Sequence, residues 1–571
     1  MTRQERPRRA APLRALRGQA VALCCVAAAI LMWTVGFAGA DPRQMGALGL
    51  LTFFNTAIVG AILLLLGSAL VCVYQRRPQW VVGVHLVTYL ALVHGTPALM
   101  YDNVRYAWSY KHLGVVDFIL RTGTVDTGID VNPIYHNWPG VFAGSALIAG
   151  FGGEDTERTL ALWAPLVFNL ILLVVLRYLF RGLTSRSDVV GTALIIYFTM
   201  TWVGQDYFSP QAVVYILYIA VVGLLLRGQY SGWLRTALFA LLVAAMAVSH
   251  QITLVMLLMA LTALLVLHQI RGWHLLTVAV AIIGAWALTF ADDFTLTNLA
   301  DLVWGFGQPL ANAEETFSKS DGATGLQKLV VVGDRFTVGV AAAFAVFGAW
   351  RSRRDSSLSR PALILMLAPV AILGMMSFGG EALLRVFLFA APFIAFLAAQ
   401  GCAPRTRGTD VDYRRLCTVA AVVALVLPGF FLGYYGKERQ SYFTAEEVGA
   451  FEWLAENAPA GSLLVEGDTN YPRQFRNYEK FDYVVIAREP ASGRIVSRPV
   501  ARLGEWLSDA RFVDGYVVIT RSQKIGIEMD HSMRPGSLDR IEDALRSSPL
   551  FTVVHESRDA TVFTLSELGR R

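Results

Sequence analysis

Thirteen stretches of this chain are apolar over 14 to 28 residues each: 19–40, 47–74, 81–100, 159–180, 188–204, 211–227, 235–248, 252–268, 274–291, 331–350, 362–378, 383–400 and 416–435. A run of about 20 such residues matches a helix crossing the roughly 30 Å hydrocarbon core of a bilayer. Inside lipid, a helix satisfies its own backbone polar groups, and few other structures do. Charged residues are 16% of the 571, against about 25% in a soluble domain. Hydrophobic residues are 55%, and the mean hydropathy is +0.49. These figures exclude a soluble enzyme, a disordered regulator and a disulfide scaffold. The expected fold is a polytopic α-helical membrane protein of about thirteen transmembrane helices. The pair 235–248 and 252–268 is short, so eleven crossings is the lower count. Residues 19–40 follow a basic segment and end near Ala38-Gly39-Ala40, as a signal peptide does. The run exceeds the usual apolar length of about 7–15 residues, so it reads as an uncleaved first helix.

Charge sets the orientation. With the N-terminus inside, the inner segments and their flanks carry 22 basic and five acidic residues. The outer segments ahead of residue 437 carry nine basic and 17 acidic residues. The reverse arrangement violates the positive-inside rule at nearly every loop. Residues 1–18 then form a basic cytoplasmic tail, 19–435 the transmembrane domain, and 436–571 an extracytoplasmic domain. That last region has a net charge of −3, against +9 for the rest. No basic stripe interleaved with aromatics suggests nucleic acid. Cys24, Cys25, Cys72, Cys402 and Cys417 have no metal-binding spacing and read as small buried residues.

Two outer loops are long, 101–158 and 292–330. In the first, Val104, Ala107, Trp108, Leu113, Val116 and Ile119 recur at helical spacing, and a second apolar stretch runs from Trp138 to Phe151. Both predict helices lying along the membrane interface. The second loop, with Gly322-Ala323-Thr324-Gly325, reads equally as a lid or a linker. In the C-terminal region, Thr444-Ala445-Glu446-Glu447 opens a capped amphipathic helix to Asn457. Short apolar runs at 462–465, 483–486, 516–519, 551–554 and 561–563 predict strands, with a helix over 537–545. This is a small α/β domain without a phosphate-binding or nucleophile motif.

Ionisable residues at membrane edges are costly and mark candidate sites. The orientation puts five such segments on the outer side. They hold Asp102 and Arg105; His136; Gln205, Asp206 and Gln211; His250; and Glu381 with Arg385. Each also has a plain structural reading: Asp102 and Asp206 as helix caps, the histidines as packed polar groups, Arg385 as the i,i+4 partner of Glu381. Asp410-Val411-Asp412 has the DxD form used for divalent metals but sits in an Arg-rich inner loop, and Asp292-Asp293 reads as capping. No cofactor and no metal site is expected, and the sequence leaves a divalent metal requirement open.

The set Tyr101-Asp102-Asn103-Val104-Arg105-Tyr106-Ala107, Tyr135-His136-Asn137-Trp138-Pro139-Gly140, Gln205-Asp206-Tyr207-Phe208-Ser209-Pro210-Gln211 and Gly379-Gly380-Glu381-Ala382-Leu383-Leu384-Arg385 resembles the GT-C superfamily of membrane glycosyltransferases. The resemblance spans residues 80–435 in architecture. It implies transfer of a sugar from a polyprenyl-phosphate carrier to an envelope glycan, lipid or protein acceptor at the outer face of the cell membrane. Asp102 would then be the general base and Arg385 the partner of the donor phosphate, with His136, Asp206 and His250 positioning donor or acceptor. Arg105, Gln205, Gln211 and Glu381 complete the substrate-binding set. Two features depart from the family: two spans precede the one leading to Asp102, and Asn103 stands where many members have a second acid. A transporter or flippase for a lipid-linked or polar solute is the second reading. A non-catalytic envelope protein presenting its tail is the third.

Overall fold

The computed structural model describes residues 10–153, 155–228, 232–297, 325–353, 356–375, 381–402 and 413–570. The first helices are α1 (Ala10–Phe37), α2 (Thr56–Tyr74), α3 (Gln79–Met100), α4 (Ala107–Thr122), α5 (Pro133–Asn137) and α6 (Gly140–Gly152). Next come α7 (Thr156–Leu183), α8 (Ser187–Met200), α9 (Pro210–Arg227), α10 (Gly232–Ala247), α11 (Gln251–Val266), α12 (His274–Thr289) and α13 (Asp292–Thr297). The bundle ends with α14 (Gly325–Arg351), α15 (Ser356–Leu367), α16 (Ala382–Cys402) and α17 (Tyr413–Tyr435). Among the described residues, eight helices are long and apolar enough to cross a membrane: α1, α2, α3, α7, α9, α14, α16 and α17 with its extension to Ser441. The chain is a multi-pass membrane protein. The other expected spans are helical but shorter. They coincide with α8, α10, α11, α12, and α15 with the 3-10 turns that follow it.

Helix α8 organises the bundle. From Val189 to Met200 every residue is buried, the signature of a helix enclosed on all sides. It packs against α16, α17, α2 and α7. It stops at Met200, so Thr201–Gly204, expected to continue it, form a loop in which Gly204 takes a positive φ of 60°. Small residues let the outer helices close in. A Cβ on Gly348 of α14 would lie 1.9 Å from the Leu397 carbonyl oxygen of α16. Of the cysteines, only Cys72 and Cys402 are buried; Cys24 and Cys417 are exposed on α1 and α17, which corrects the uniform burial expected.

After the short α18 (Glu438–Ser441), the C-terminal region holds α19 (Ala445–Asn457), β1 (Ser462–Glu466), β2 (Phe481–Val485), α20 (Ser492–Ser497), α21 (Pro499–Leu507), β3 (Gly515–Thr520), α22 (Arg521–Asp530), α23 (Ser537–Arg546), β4 (Phe551–Glu556) and β5 (Ala560–Leu565). The sheet order is β2-β1-β3-β5-β4. Strands β1, β2 and β3 are parallel, and β5 runs antiparallel to β3 and β4. Strands β1, β3 and β5 are buried at every residue, as strands covered on both faces are. The predicted capping box is present: Thr444 Oγ1 accepts from the Glu447 amide, and Glu447 accepts from the Thr444 amide at 3.0 Å.

Helix α4 joins the two parts. Tyr110, Leu113, Val116 and Phe118 share one apolar core with Phe142, Ala161 and Phe208 of the bundle and Phe451, Phe475 and Tyr478 of the α/β domain. Gly114 permits this approach, because a Cβ there would lie 1.9 Å from the Gln474 carbonyl oxygen. Helix α6 leaves Leu147, Ile148 and Phe151 exposed, as a helix lying at an interface does. Of the 292–330 loop, 298–324 lies outside the described residues, as do Asp410 and Asp412.

Candidate functional site

The loop 201–209 is pinned at both ends. Ser209 caps α9, its Oγ accepting from the Ala212 amide at 3.2 Å, with Pro210 preset for the first helical turn. His112 Nδ1 donates to the Phe208 carbonyl at 2.7 Å, tying the loop to α4. Trp202 stacks on Phe387 of α16 with centroids 6.2 Å apart. This frame turns Asp206 into the bundle.

Three groups meet at Asp206 Oδ2. Asn169 Nδ2 of α7 donates at 2.8 Å, the Tyr434 hydroxyl of α17 donates at 2.9 Å, and His94 Nδ1 of α3 stands 3.0 Å away. Oδ1 is buried and accepts no hydrogen bond among the described residues. Burial alone would raise this carboxyl. The hydrogen bond and charge of His94, then Arg105 and the Tyr434 hydroxyl, hold it below the ordinary carboxylate value. Asp206 is therefore ionised at neutral pH. It lines a cavity of about 50 Å³ with His94, Asn169, Gln205, Tyr215 and Tyr434. Ligand pockets run about 300–1,000 Å³, so this form of the site is closed around Asp206.

The network continues outward through Tyr434. Arg105 donates to its hydroxyl at 3.0 Å and to Glu438 through Nε at 3.1 Å. Tyr101 donates to the other Glu438 oxygen at 3.0 Å. Arg105 and Glu438 are 4% and 1% exposed, and Arg105 lies 4.6 and 4.7 Å from the ring centroids of Tyr106 and Tyr434. A buried guanidinium demands such a partner.

A second polar group adjoins the first. Arg385 donates to Gln211 Oε1 and to Glu381, each at 2.8 Å. Gln211 stands five residues after Asp206, across the Ser209-Pro210 cap, and Leu388, three residues after Arg385, lines the Asp206 cavity. Tyr207 stacks on His112 at 5.8 Å, and His112 packs edge-on against Tyr135 at 4.8 Å. Both tyrosine hydroxyls sense the charges of Glu381 and Arg385. His250 caps α11, its Nδ1 accepting from Thr253, and burial with the positive charge of Arg385 pushes its imidazole down to about 3.

The structure thus gathers Arg105, Gln205, Asp206, Gln211, Glu381 and Arg385 on adjoining walls, with His250 beside Arg385. Asp102 stands apart and exposed, near Tyr442. His136 faces the α/β domain, where its Nε2 meets the Tyr478 hydroxyl and burial pushes it down to about 4. Residues not singled out in the sequence are His94, Asn169, Tyr434 and Glu438. His94 carried a signal, an ionisable group within an apolar run. So did Asp334, which is 6% exposed on α14, with its Oδ1 2.3 Å from a Cβ built on Gly433. Among the described residues, no three His, Cys, Asp or Glu side chains cluster as a metal site would require.

No protein-family model matches the chain, and no curated protein sequence does. Solved structures similar to it include two membrane proteins. The cryo-EM structure of the arabinofuranosyltransferase AftD from Mycobacteria shares 13% identity over 84% of this chain, which spans 40% of that protein, with a TM-score of 0.47. The crystal structure of ArnT from Cupriavidus metallidurans bound to undecaprenyl phosphate shares 14% identity, covering 86% of this chain and 99% of that one, with a TM-score of 0.45. The first is an arabinofuranosyltransferase by its name, and the second is bound to undecaprenyl phosphate. At these identities and scores, the functional reading stands on the chain's own residues.

Proposed function

We propose that the protein is a membrane glycosyltransferase that moves a sugar from a polyprenyl-phosphate carrier to a hydroxyl of an envelope glycan, lipid or protein acceptor, at the face covered by the α/β domain. With the N-terminus inside, that face is extracytoplasmic. The observation that carries the reading is a buried, ionised Asp206 in the loop that leads into Gln211, to which Arg385 donates at 2.8 Å.

The chemistry follows from these two groups. The acceptor oxygen attacks the anomeric carbon as the bond from that carbon to the phosphate oxygen breaks. The acceptor proton passes to Asp206, whose Oδ1 has open acceptor capacity. The electron pair leaves with the polyprenyl phosphate, whose added negative charge is met by the Arg385 guanidinium. Attack opposite the leaving group inverts the anomeric centre. His94, Asn169 and Tyr434 hold the carboxylate in place. Arg105 acts through Tyr434 and is a positioning residue. Asp102, exposed at the start of the same outer segment, is the alternative base. Admitting a sugar to a cavity of about 50 Å³ requires loop 201–209 or the start of α16 to move.

The test is turnover of radiolabelled polyprenyl-phosphate sugars by the purified protein in nanodiscs, with an envelope acceptor extract. Sugar leaving the carrier and appearing on acceptor is the expected result. No consumption of any donor, together with solute flux in proteoliposomes, would replace this reading with the transporter.

A further inference from the structure

A cavity of about 720 Å³ lies at the opposite end of the bundle, between the α2–α3 turn, the end of α7 and the start of α8. Trp80, in the first turn of α3, lines this cavity, whereas His94 of the Asp206 site stands 14 residues further along the same helix. At 1.5 Å per residue the two sites are roughly 20 Å apart.

The lining has two characters. Among the described residues, Arg76, Arg77, Arg177 and Arg186 bring guanidinium groups to the lining, and Asp188 brings a carboxylate. Arg186 is paired with Asp188, its Nε donating at 3.2 Å. Arg177 and Arg77 donate to the neutral side-chain amides of Gln79 and Gln75. Among the described residues, the partner of Arg177 is thus a neutral amide and not a carboxylate. Beyond the arginines the lining turns apolar, along Leu86 of α3 and Leu173 and Val174 of α7. A Cβ on Gly83 would meet nothing within 4 Å, so the α3 backbone itself is part of the wall. Val174 is 67% exposed and Trp80 53%, so the mouth opens sideways, where a bilayer stands against the helices. Trp at such a level is the residue that anchors to headgroups.

A free phosphate uses the arginines and leaves the apolar part of so large a cavity empty. A neutral lipid uses the apolar part and leaves the charges unmet. We propose that this groove binds an anionic phospholipid, with its phosphate held by Arg76 and Arg177 and an acyl chain lying along α3 and α7 below Trp80. Guanidinium groups recognise phosphate oxygens bidentately, and the acyl chain adds apolar contact. The inference does not depend on the reaction at Asp206.

The experiment uses the full-length protein in neutral detergent, titrated in native mass spectrometry with phosphatidylglycerol, phosphatidylcholine of the same acyl chains, and inorganic phosphate. One phosphatidylglycerol is expected to bind at least tenfold tighter than phosphatidylcholine, and phosphate alone is expected not to displace it. From the weight of one basic residue near an anionic lipid, Arg177→Gln should raise Kd about fivefold and the Arg76→Gln/Arg177→Gln pair roughly 25-fold. Gly83→Trp fills the groove without changing charge and should abolish binding. Variants count only if their melting temperature matches the parent. On the unmutated protein, brominated phosphatidylglycerol should quench a fluorescence component absent from Trp80→Phe. Equal binding of the two lipids, displacement by phosphate alone, or unchanged Kd in both the charge and the Gly83 variants would overturn the proposal.

Discussion

Glu438→Leu leaves the Arg105 guanidinium buried beside Tyr434 with no counter-charge. Both partners are at most 4% exposed, so water cannot take over the lost contacts. Removing one member of such a pair costs about 3–5 kcal/mol, and the Tyr101 hydroxyl, which now donates to Glu438, adds about 1 kcal/mol when orphaned. The double variant Arg105→Met/Glu438→Leu carries no buried charge. It still orphans Tyr101 and removes one partner of Tyr434, so it should lose about 2 kcal/mol and recover about 3 kcal/mol relative to Glu438→Leu alone. Reversible unfolding in mixed micelles, followed by tryptophan fluorescence on the parent, both singles and the double, isolates the coupling as a difference. A loss under 1 kcal/mol in the single variant would mean that Arg105 is hydrated. A double variant as unstable as the sum of the singles would mean that the two are not coupled. Either result refutes the account of this junction.

Three further outcomes are expected. Gly114→Val places side-chain atoms where the Gln474 carbonyl now sits, and should undock the α/β domain from α4, read as faster proteolysis around 471–480 with the bundle intact. Lys111, pushed down to about 7 by burial, then by Arg473 and Arg488 against the pull of Glu466, binds its proton less readily folded than unfolded. The unfolded state therefore holds more protons between about pH 7 and 10, and stability rises with pH there. Lys111→Met should raise the melting temperature by more at pH 7 than at pH 10, and an equal gain at both would refute the assignment. Arg385→Gln should raise the KM for the polyprenyl-phosphate donor and lower kcat by about tenfold or more, because the phosphate gains charge in the transition state. An unchanged kcat/KM would remove Arg385 from the donor site.

Element type was legible wherever run length and residue type agreed. The five strands and α23 of the small domain fall within a few residues of their expected positions, because short apolar runs rich in β-branched and aromatic residues read as strands and the 537–545 segment has helical spacing. The capping box at Thr444 carried its own local chemistry. The end of α8 was not legible: Thr201–Gly204 is uncharged and includes Trp202 and Val203, and tertiary contacts such as Trp202 on Phe387 show that the chain has turned. Asp206, Gln211 and Arg385 were legible as edge-of-membrane polar groups, but their meeting depends on helix packing that no local pattern encodes. The roles of His94 and Asn169 were not legible, because each is a lone polar residue in an apolar helix, where a packed polar side chain is the usual finding. Their roles emerge only when α3 and α7 bring both to one oxygen of Asp206.

The central claim is that Asp206 takes the acceptor proton. The most direct measurement compares the parent, Asp206→Asn and Asp102→Asn in nanodiscs for donor binding and for sugar transfer. Asn keeps the shape and the hydrogen bond from Tyr434 but cannot accept a proton. Transfer by Asp206→Asn should fall about 10²–10⁴-fold while donor Kd stays within about threefold of the parent, and Asp102→Asn should keep most of its activity. Full transfer by Asp206→Asn, or its loss in Asp102→Asn with donor binding intact, would contradict the account and move the base to the exposed carboxylate.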